Sequence, residues 1–459
     1  MAALKVLLIS TYELGRQPFG LASPAAWLRA EGVEVHCLDL SQCRLDEPAV
    51  RAAGLIGFYL PMHTATRIAM AAIRRVRELN PTAQLCAFGL YAPLNEELLR
   101  LAGVSTILGG EFEAALADAV RGMAANGSQL LPQSKAGVSL ERLTFRVPDR
   151  TGLPPLQKYA RLVVPGEGER VVGYTEASRG CKHLCRHCPI VPIYQGKFRV
   201  VQREVVLEDI RQQVAAGAQH ITFGDPDFFN GITHAMEVVG ALHRDFPSLS
   251  YDVTIKIEHL LQHAEHLPTL RDTGCAFVTS AVESVDDRVL ALLDKGHTRG
   301  DFERVVALFR ETGLTLSPTF VAFTPWITLE GYEDLLNTIA ALDLVENVAP
   351  VQFAIRLLIP SASRLLGLLE VREIVGEFDP AALCYPWRHP DPRMDDLQSQ
   401  VEAHVQKLTA KGFGRRHIFE EVRRLARQFA TGDLRVPPLP AARLSSRATV
   451  PYLTEPWYC

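Results

Sequence analysis

The chain has 459 residues, of which 47% are hydrophobic and 22% charged, with a formal net charge of −4 at pH 7. That length favours two or three domains, and the composition is that of an ordinary globular protein. No basic tract marks a nucleic-acid surface, no apolar run reaches the roughly 20 residues that span a bilayer, and residues 5–10 are too short and wrongly flanked for a secretory signal. A reducing cytoplasm is the expected setting, with reduced cysteines and neither nucleic acid nor membrane as partner.

Residues 1–125 alternate short apolar runs with helical patterns. Strands are predicted over 6–10, 33–40, 54–60, 83–88 and 105–108, and helices over 23–30, 64–79, 95–101 and 111–121. Strands separated by helices imply an α/β unit with a doubly wound, Rossmann-like parallel sheet. Ligands of such sheets bind beyond the carboxyl ends of the strands. Those ends are Ser10-Thr11-Tyr12, Pro61-Met62-His63, Gly89-Leu90-Tyr91 and Gly109-Gly110-Glu111. Residues 126–170 carry turn signals such as Asn126-Gly127-Ser128 and Gly152-Leu153-Pro154-Pro155, and read as a linker.

From residue 171 to 360 a strand–loop–helix rhythm repeats about six times. Strands are predicted over 171–177, 219–223, 251–257, 275–280, 314–323 and 351–357, separated by helical stretches. This is the pattern of a β/α barrel, whose chemistry sits at the C-terminal ends of its strands. The first strand leads into Cys181-Lys182-His183-Leu184-Cys185-Arg186-His187-Cys188, which holds three of the nine cysteines. Thiolates are soft ligands for zinc, copper or iron–sulfur clusters. A closed cubane takes four thiolates; this loop offers three, leaving one iron open to a small molecule. The competing reading is a zinc site completed by His183 or His187, although no second ligand pair of the usual zinc spacing is present.

The Cys-x3-Cys-x2-Cys loop at the end of a first barrel strand resembles the radical S-adenosylmethionine (radical SAM) superfamily. The resemblance covers roughly residues 170–360 and implies a partial (β/α)6 barrel. It also implies a 4Fe–4S cluster held by Cys181, Cys185 and Cys188, with S-adenosylmethionine (SAM) on the fourth iron. His187 departs from the aromatic residue that family members usually carry at that position. The implied reaction is reductive cleavage of SAM to methionine and a 5′-deoxyadenosyl radical, fed by a reductase, flavodoxin or ferredoxin as electron donor. The N-terminal half resembles the cobalamin-binding domain that precedes this barrel in one large subgroup. Its closest local match is the stretch Gly103–Glu113, and Lys295-Gly296-His297-Thr298 is a further likeness. No Asp-x-His occurs anywhere in the chain, so a cobalamin site and a purely structural domain both stand. With cobalamin, methyl transfer is the favoured outcome; the substrate is not legible.

The resemblance also nominates cofactor contacts at the barrel mouth. Gly224, Asp225 and Asp227 follow the second strand and are placed against the SAM ammonium or substrate, with a helix-capping turn as the alternative. Apart from the resemblance, Lys256 at the end of the third strand is a candidate partner for the SAM carboxylate, with a surface lysine as the equal alternative. Glu283 is placed against the ribose, and Ser284 either joins it or caps the next helix. Arg356, in an apolar run, needs a partner: a barrel-mouth anion is a candidate, and a structural carboxylate is the expectation. Residues 361–432 read as a helical extension and 433–459 as a Pro-rich tail. The ending Trp457-Tyr458-Cys459 resembles radical SAM proteins whose C-termini run Cys-Cys-Ala-Glu-Pro or Cys-selenocysteine-Ala-Glu-Pro. This suggests truncation at a selenocysteine codon. Two rival functions stand beside the enzyme: an iron–sulfur electron-transfer or sensor protein, and a zinc-stabilised scaffold.

Overall fold

The computed structural model describes residues 4–125, 135–432 and 448–455. Six strands form an all-parallel sheet: β1 (Lys5–Ser10), β2 (Glu34–Asp39), β3 (Leu55–Tyr59), β4 (Gln84–Phe88), β5 (Thr106–Gly110) and β6 (Gly137–Ser139). Their spatial order is β2-β1-β3-β4-β5-β6. β1 and β3 are buried on both faces, as an unbroken apolar run requires. In β1, Leu7 and Ile9 enter one core with the helix His63–Leu79. Val6 and Leu8 enter another, with the helices Phe19–Ala30 and Phe112–Ala125. Two helical layers around one sheet are the doubly wound arrangement the alternating pattern predicts. β6 is an addition: it lies in the stretch read as linker and extends the sheet parallel to β5.

The second sheet is built from β7 (Arg161–Val164), β8 (Gly168–Thr175), β11 (His220–Phe223), β12 (Ser250–Thr254), β13 (Cys275–Glu283), β14 (Leu316–Phe320) and β15 (Tyr452–Leu453). A separate two-stranded ribbon pairs β9 (Ser178–Gly180) with β10 (Phe198–Val200). In the order β14-β13-β12-β11-β8, the strands are parallel neighbours and form the partial barrel. β7 runs antiparallel to β8, and β15, from the Pro-rich tail, runs antiparallel to β7. Cys459 lies outside the described residues.

The sixth barrel strand, predicted over 351–357, does not form. Residues Pro350–Phe353 make a 3-10 turn, and a single parallel bridge joins Phe323 to Arg356. Proline cannot donate to a ladder, and the amide oxygen of Gln352 accepts from Phe320 N–H at 2.9 Å, in place of a backbone carbonyl. The apolar run there reports burial of a loop, with Phe353 in the barrel core. The helices Pro392–Ala410 and Arg415–Thr431 pack on that core through Leu397, Val401, Phe419 and Val422. No helix among the described residues is long and apolar enough to cross a membrane.

Candidate active site

One cavity of about 520 Å³ runs between the two sheets, within the roughly 300–1,000 Å³ range of small-molecule sites. Its N-terminal wall is the carboxyl edge of the first sheet, including Pro61, His63, Gly89, Tyr91 and Gly110. Its barrel wall carries Cys181, Cys185 and Cys188 together with Gly224, Asp225, Asp227, Lys256 and Glu283. The strand-end rules for both fold types therefore converge on a single space. Ser284 does not line it.

The cysteine loop is held from several directions. Arg186 N–H donates to Leu293 O at 2.9 Å, and its guanidinium donates to Ala291 O and Leu292 O at 3.0 and 2.9 Å. Lys182 N–H donates to Asn230 Oδ1 at 3.2 Å, and Arg364 donates to Leu184 O at 3.2 Å. The three cysteines are free thiols. Burial pushes the Cys181 thiol up to about 11 and the Cys188 thiol to about 12. Bare thiolates are disfavoured in such a setting, and metal ions that replace the protons reverse that preference. Three soft donors in one fixed loop, facing a cavity, fit a 4Fe–4S cluster with one iron open to a ligand.

Both loop histidines engage carboxylates. His187 Nε2 lies 3.1 Å from Glu283 Oε1, and Lys295 Nζ lies 3.3 Å from the same oxygen. Burial would raise the Glu283 pKa, but Lys295 and His187 bring it down to about 2. Glu283 ends β13 at a register shift and has φ +68°, a left-handed conformation uncommon outside glycine. His183 Nε2 lies 3.3 Å and His259 Nδ1 2.7 Å from Asp227 Oδ2. Burial opposes ionisation of Asp227, but those two imidazoles hold its carboxyl below the usual range. Lys256 Nζ lies 3.1 Å from His183 Nδ1 and 3.1 Å from Glu258 Oε2, so this lysine is a buried member of the network rather than a surface side chain. Cys181, His183 and Asp227 also place a donor atom each within 4.8 Å of one another.

The remaining nominated residues divide. Asp225 is a clamp: Oδ1 accepts from Ala177 N–H at 2.8 Å and Oδ2 from Ser178 Oγ at 2.5 Å, and burial pushes its pKa up to about 7. Gly224 is required by packing, because a Cβ there would collide with the Tyr174 ring. Asp227 combines both readings, since Oδ1 caps the turn Phe228–Gly231 while Oδ2 meets the histidines. Ser284 is not the helix cap. Asp286 is, with Oδ1 accepting from Arg288 N–H at 2.8 Å and Val289 N–H at 3.1 Å, while Ser284 Oγ accepts from Asp286 N–H at 3.1 Å. Arg356 finds the expected structural carboxylate: it pairs with Asp395 at 2.7 Å and stacks 3.5 Å over the Trp387 ring.

A buried ionic knot went unread in the sequence. Arg179, two residues before Cys181, meets Glu176 at 2.6 Å, Glu113 at 2.7 Å and Glu111 at 3.3 Å. Tyr194 Oη donates to Glu111 at 3.1 Å and Ser23 Oγ to Glu113 at 2.7 Å. The Gly109-Gly110-Glu111-Phe112-Glu113 turn of the first sheet is thus tied to the strand that launches the cysteine loop. The signal available was two acids spaced i, i+2 after paired glycines, but their partner lies 66 residues away from Glu113 in sequence.

Residues 175–342 match the family model described as the radical SAM superfamily, so this part of the chain is similar to a radical SAM domain. A domain of this class takes a 4Fe–4S cluster and SAM. Similar curated proteins include a tRNA-2-methylthio-N(6)-dimethylallyladenosine synthase of Chlorobium phaeobacteroides (strain BS1), 25% identical over 201 residues, covering 40% of this chain and 42% of that one. Another is the hopanoid C-3 methylase of Methylococcus capsulatus (strain ATCC 33009 / NCIMB 11132 / Bath), 26% identical over 151 residues, covering 33% and 29%. The chain therefore spans less than half the length of these relatives. Among solved structures, the cobalamin-dependent SAM radical enzyme OxsB with aqua-cobalamin and SAM bound aligns at a TM-score of 0.69 and 13% identity, covering 89% of this chain and 67% of that one. The radical SAM methyltransferase TsrM from Kitasatospora setae aligns at 0.62 and 18%, covering 74% and 72%. At these identities the likeness is one of fold, and it extends over both sheets.

Proposed function

We propose that this chain is an enzyme that cleaves SAM reductively to a 5′-deoxyadenosyl radical and, with cobalamin against its first sheet, transfers a methyl group to an unactivated carbon. The observation that carries this reading is the single cavity shared by the three-cysteine loop and the carboxyl edge of the Rossmann-like sheet. Cys181, Cys185 and Cys188 would hold the cluster, and the strand ends around Pro61, Gly89 and Gly110 would hold cobalamin. When bound, the cluster supplies an electron to SAM and cobalamin supplies a methyl carrier. Among the described residues lining the first sheet's side, His63 is the one histidine, and its Nε2 is committed to Ala382 O at 2.6 Å. Cobalamin is thus proposed to sit there without an imidazole ligand from this edge.

The protein's own contribution is positioning and charge. Lys256 and Asp227 present opposite charges beside the cysteine loop, suited to the carboxylate and ammonium of SAM. Glu283, held ionised by Lys295, is an acceptor pair suited to ribose hydroxyls. An external flavodoxin- or ferredoxin-type donor completes the proposal. The test is anaerobic reconstitution with iron and sulfide, followed by dithionite and SAM. Formation of 5′-deoxyadenosine is expected, along with a corrin spectrum retained after hydroxocobalamin and gel filtration. A brown protein that leaves SAM intact would make it an electron-transfer or sensor protein. A second reading rests on the clustered donors of Cys181, His183 and Asp227, which suit a single zinc ion; a colourless protein with one equivalent of zinc would establish it.

A further inference from the structure

Glu13 lies in the loop after β1, 7% exposed, and lines the cavity on the side of the first sheet. Its Oε1 accepts from Phe19 N–H at 3.2 Å, while its Oε2 is buried without a hydrogen bond. Among the described residues Glu13 makes no ion pair. Glu176, just after the first barrel strand, also lines the cavity, and it is already shared with Arg179 and 3.4 Å from Tyr174 Oη. The nearby cation is Arg16, whose guanidinium is laid 4.6 Å over the Tyr174 ring. Two carboxyl groups therefore border one apolar space, and Arg179 is spent on three acids. A buried, unpaired carboxylate oxygen costs free energy that a bound donor recovers.

The walls around it are aromatic: Phe19, Tyr59, Phe112 and Tyr174. Their faces attract cations as well as apolar groups. An anionic group placed here would stand against Glu13 and Glu176 together. We infer that the substrate is a molecule with an apolar body carrying a basic amine, and that Glu13 receives the ammonium at its free oxygen. This inference rests on the proposed reading of the cavity as the reaction site.

The test uses reconstituted holoenzyme, saturated with SAM and without reductant, so that the cofactor's own ammonium site is filled. Phenethylamine, 3-phenylpropionate and 2-phenylethanol serve as probes of matched size, read by calorimetry and saturation-transfer NMR. The amine is expected to bind at least tenfold more tightly than the alcohol or the acid, and Glu13→Gln to abolish that preference. Arg16→Leu, which leaves the carboxylate in place, is expected to keep or strengthen it, and the thermal unfolding profile checks that each variant is folded. A preference for the acid, an amine preference unchanged in E13Q, or loss of amine binding once SAM saturates overturns the inference. Deoxyadenosine formation in the same preparations separates the two readings. Cleavage of SAM without an amine preference sinks the substrate class alone; amine binding without cleavage sinks the enzyme reading alone.

Discussion

The two walls of the cavity are chemically unlike. The barrel wall is dense with paired titratable groups: Glu283 with His187 and Lys295, Asp227 with His183 and His259, Lys256 with Glu258. The N-terminal wall is largely aromatic, with Phe19, Tyr59 and Phe112 lining it, Tyr59 and Phe112 at a centroid distance of 6.1 Å, and its charged side chains are Glu13 and Arg16. Paired charges are what a site needs to hold a zwitterionic sulfonium cofactor and a metal centre. An apolar, glycine-edged wall suits a large flat ligand or an apolar substrate. The same fold element, a parallel strand end, is thus loaded for chemistry on one side and for shape on the other.

The largest effect should come from emptying the barrel wall of sulfur. Replacing any one of Cys181, Cys185 or Cys188 by Ala removes a corner of the cluster. SAM cleavage is expected to fall by at least about a thousandfold, equivalent to ~4 kcal/mol of barrier. Iron content and deoxyadenosine yield measure it together; near-full activity with two thiols would end the cluster assignment. No comparable loss is expected from Cys86 on the other side, which is buried in the first sheet's core away from the cavity.

The seam between the walls comes next. Arg179→Met leaves Glu111, Glu113 and Glu176 without their shared cation, and breaking a buried pair in this way typically costs about 3–5 kcal/mol. Urea unfolding of the apoprotein should show that loss. If the knot also sets the cysteine loop, cluster occupancy should fall with it, whereas a purely structural role predicts lower stability with normal iron per folded molecule.

Much of this was legible in the chain, and the limits are physical. Periodicity gave both sheets, because short apolar runs alternating with helical patterns are what strands buried on two faces of a parallel sheet require. The cysteine spacing named its own chemistry, since three soft ligands within eight residues are a local fact. The sixth strand failed because the run around Phe353 and Ile355 is apolar for burial alone, and Gln352 takes a ladder bond with its side chain. The Arg179 knot was invisible because its parts are far apart in sequence, and Glu13 because an acid in a loop ordinarily faces water. Lys256 was undecidable for the same reason: the burial that makes it part of a network is a tertiary property.

Glu13 sharpens the contrast further through pH. Its pKa is raised by burial and by Glu176 to about 8, against an ordinary 4.5. A carboxyl whose folded pKa lies above its unfolded one binds its proton more tightly when folded. Its contribution to stability is therefore full below about pH 4.5 and declines as pH rises toward 8, by about 1.4 kcal/mol per unit. Glu13→Gln should match wild type near pH 4.5 and exceed it by a few kcal/mol at pH 8. Urea midpoints across that range measure the divergence; parallel curves for the two proteins would show that Glu13 does not ionise as an isolated buried acid.

The smallest effect tests how the barrel rim is built. Ser284 and Asp286 are both good capping residues, and sequence alone does not rank them. The structure gives Asp286 two backbone donors from the helix Asp287–Leu293 and gives Ser284 only Asp286 N–H. Asp286→Ala should cost about 1 kcal/mol, while Ser284→Ala should stay within about 0.5 kcal/mol, as for changes that remove no cap. The helix they start is the one that fixes Arg186 through Leu293 O and leads to Lys295, the partner of Glu283. A loss in D286A that also weakens SAM binding would show that the charged wall owes part of its order to this cap; an equal loss in both variants would mean that the two side chains act as one turn.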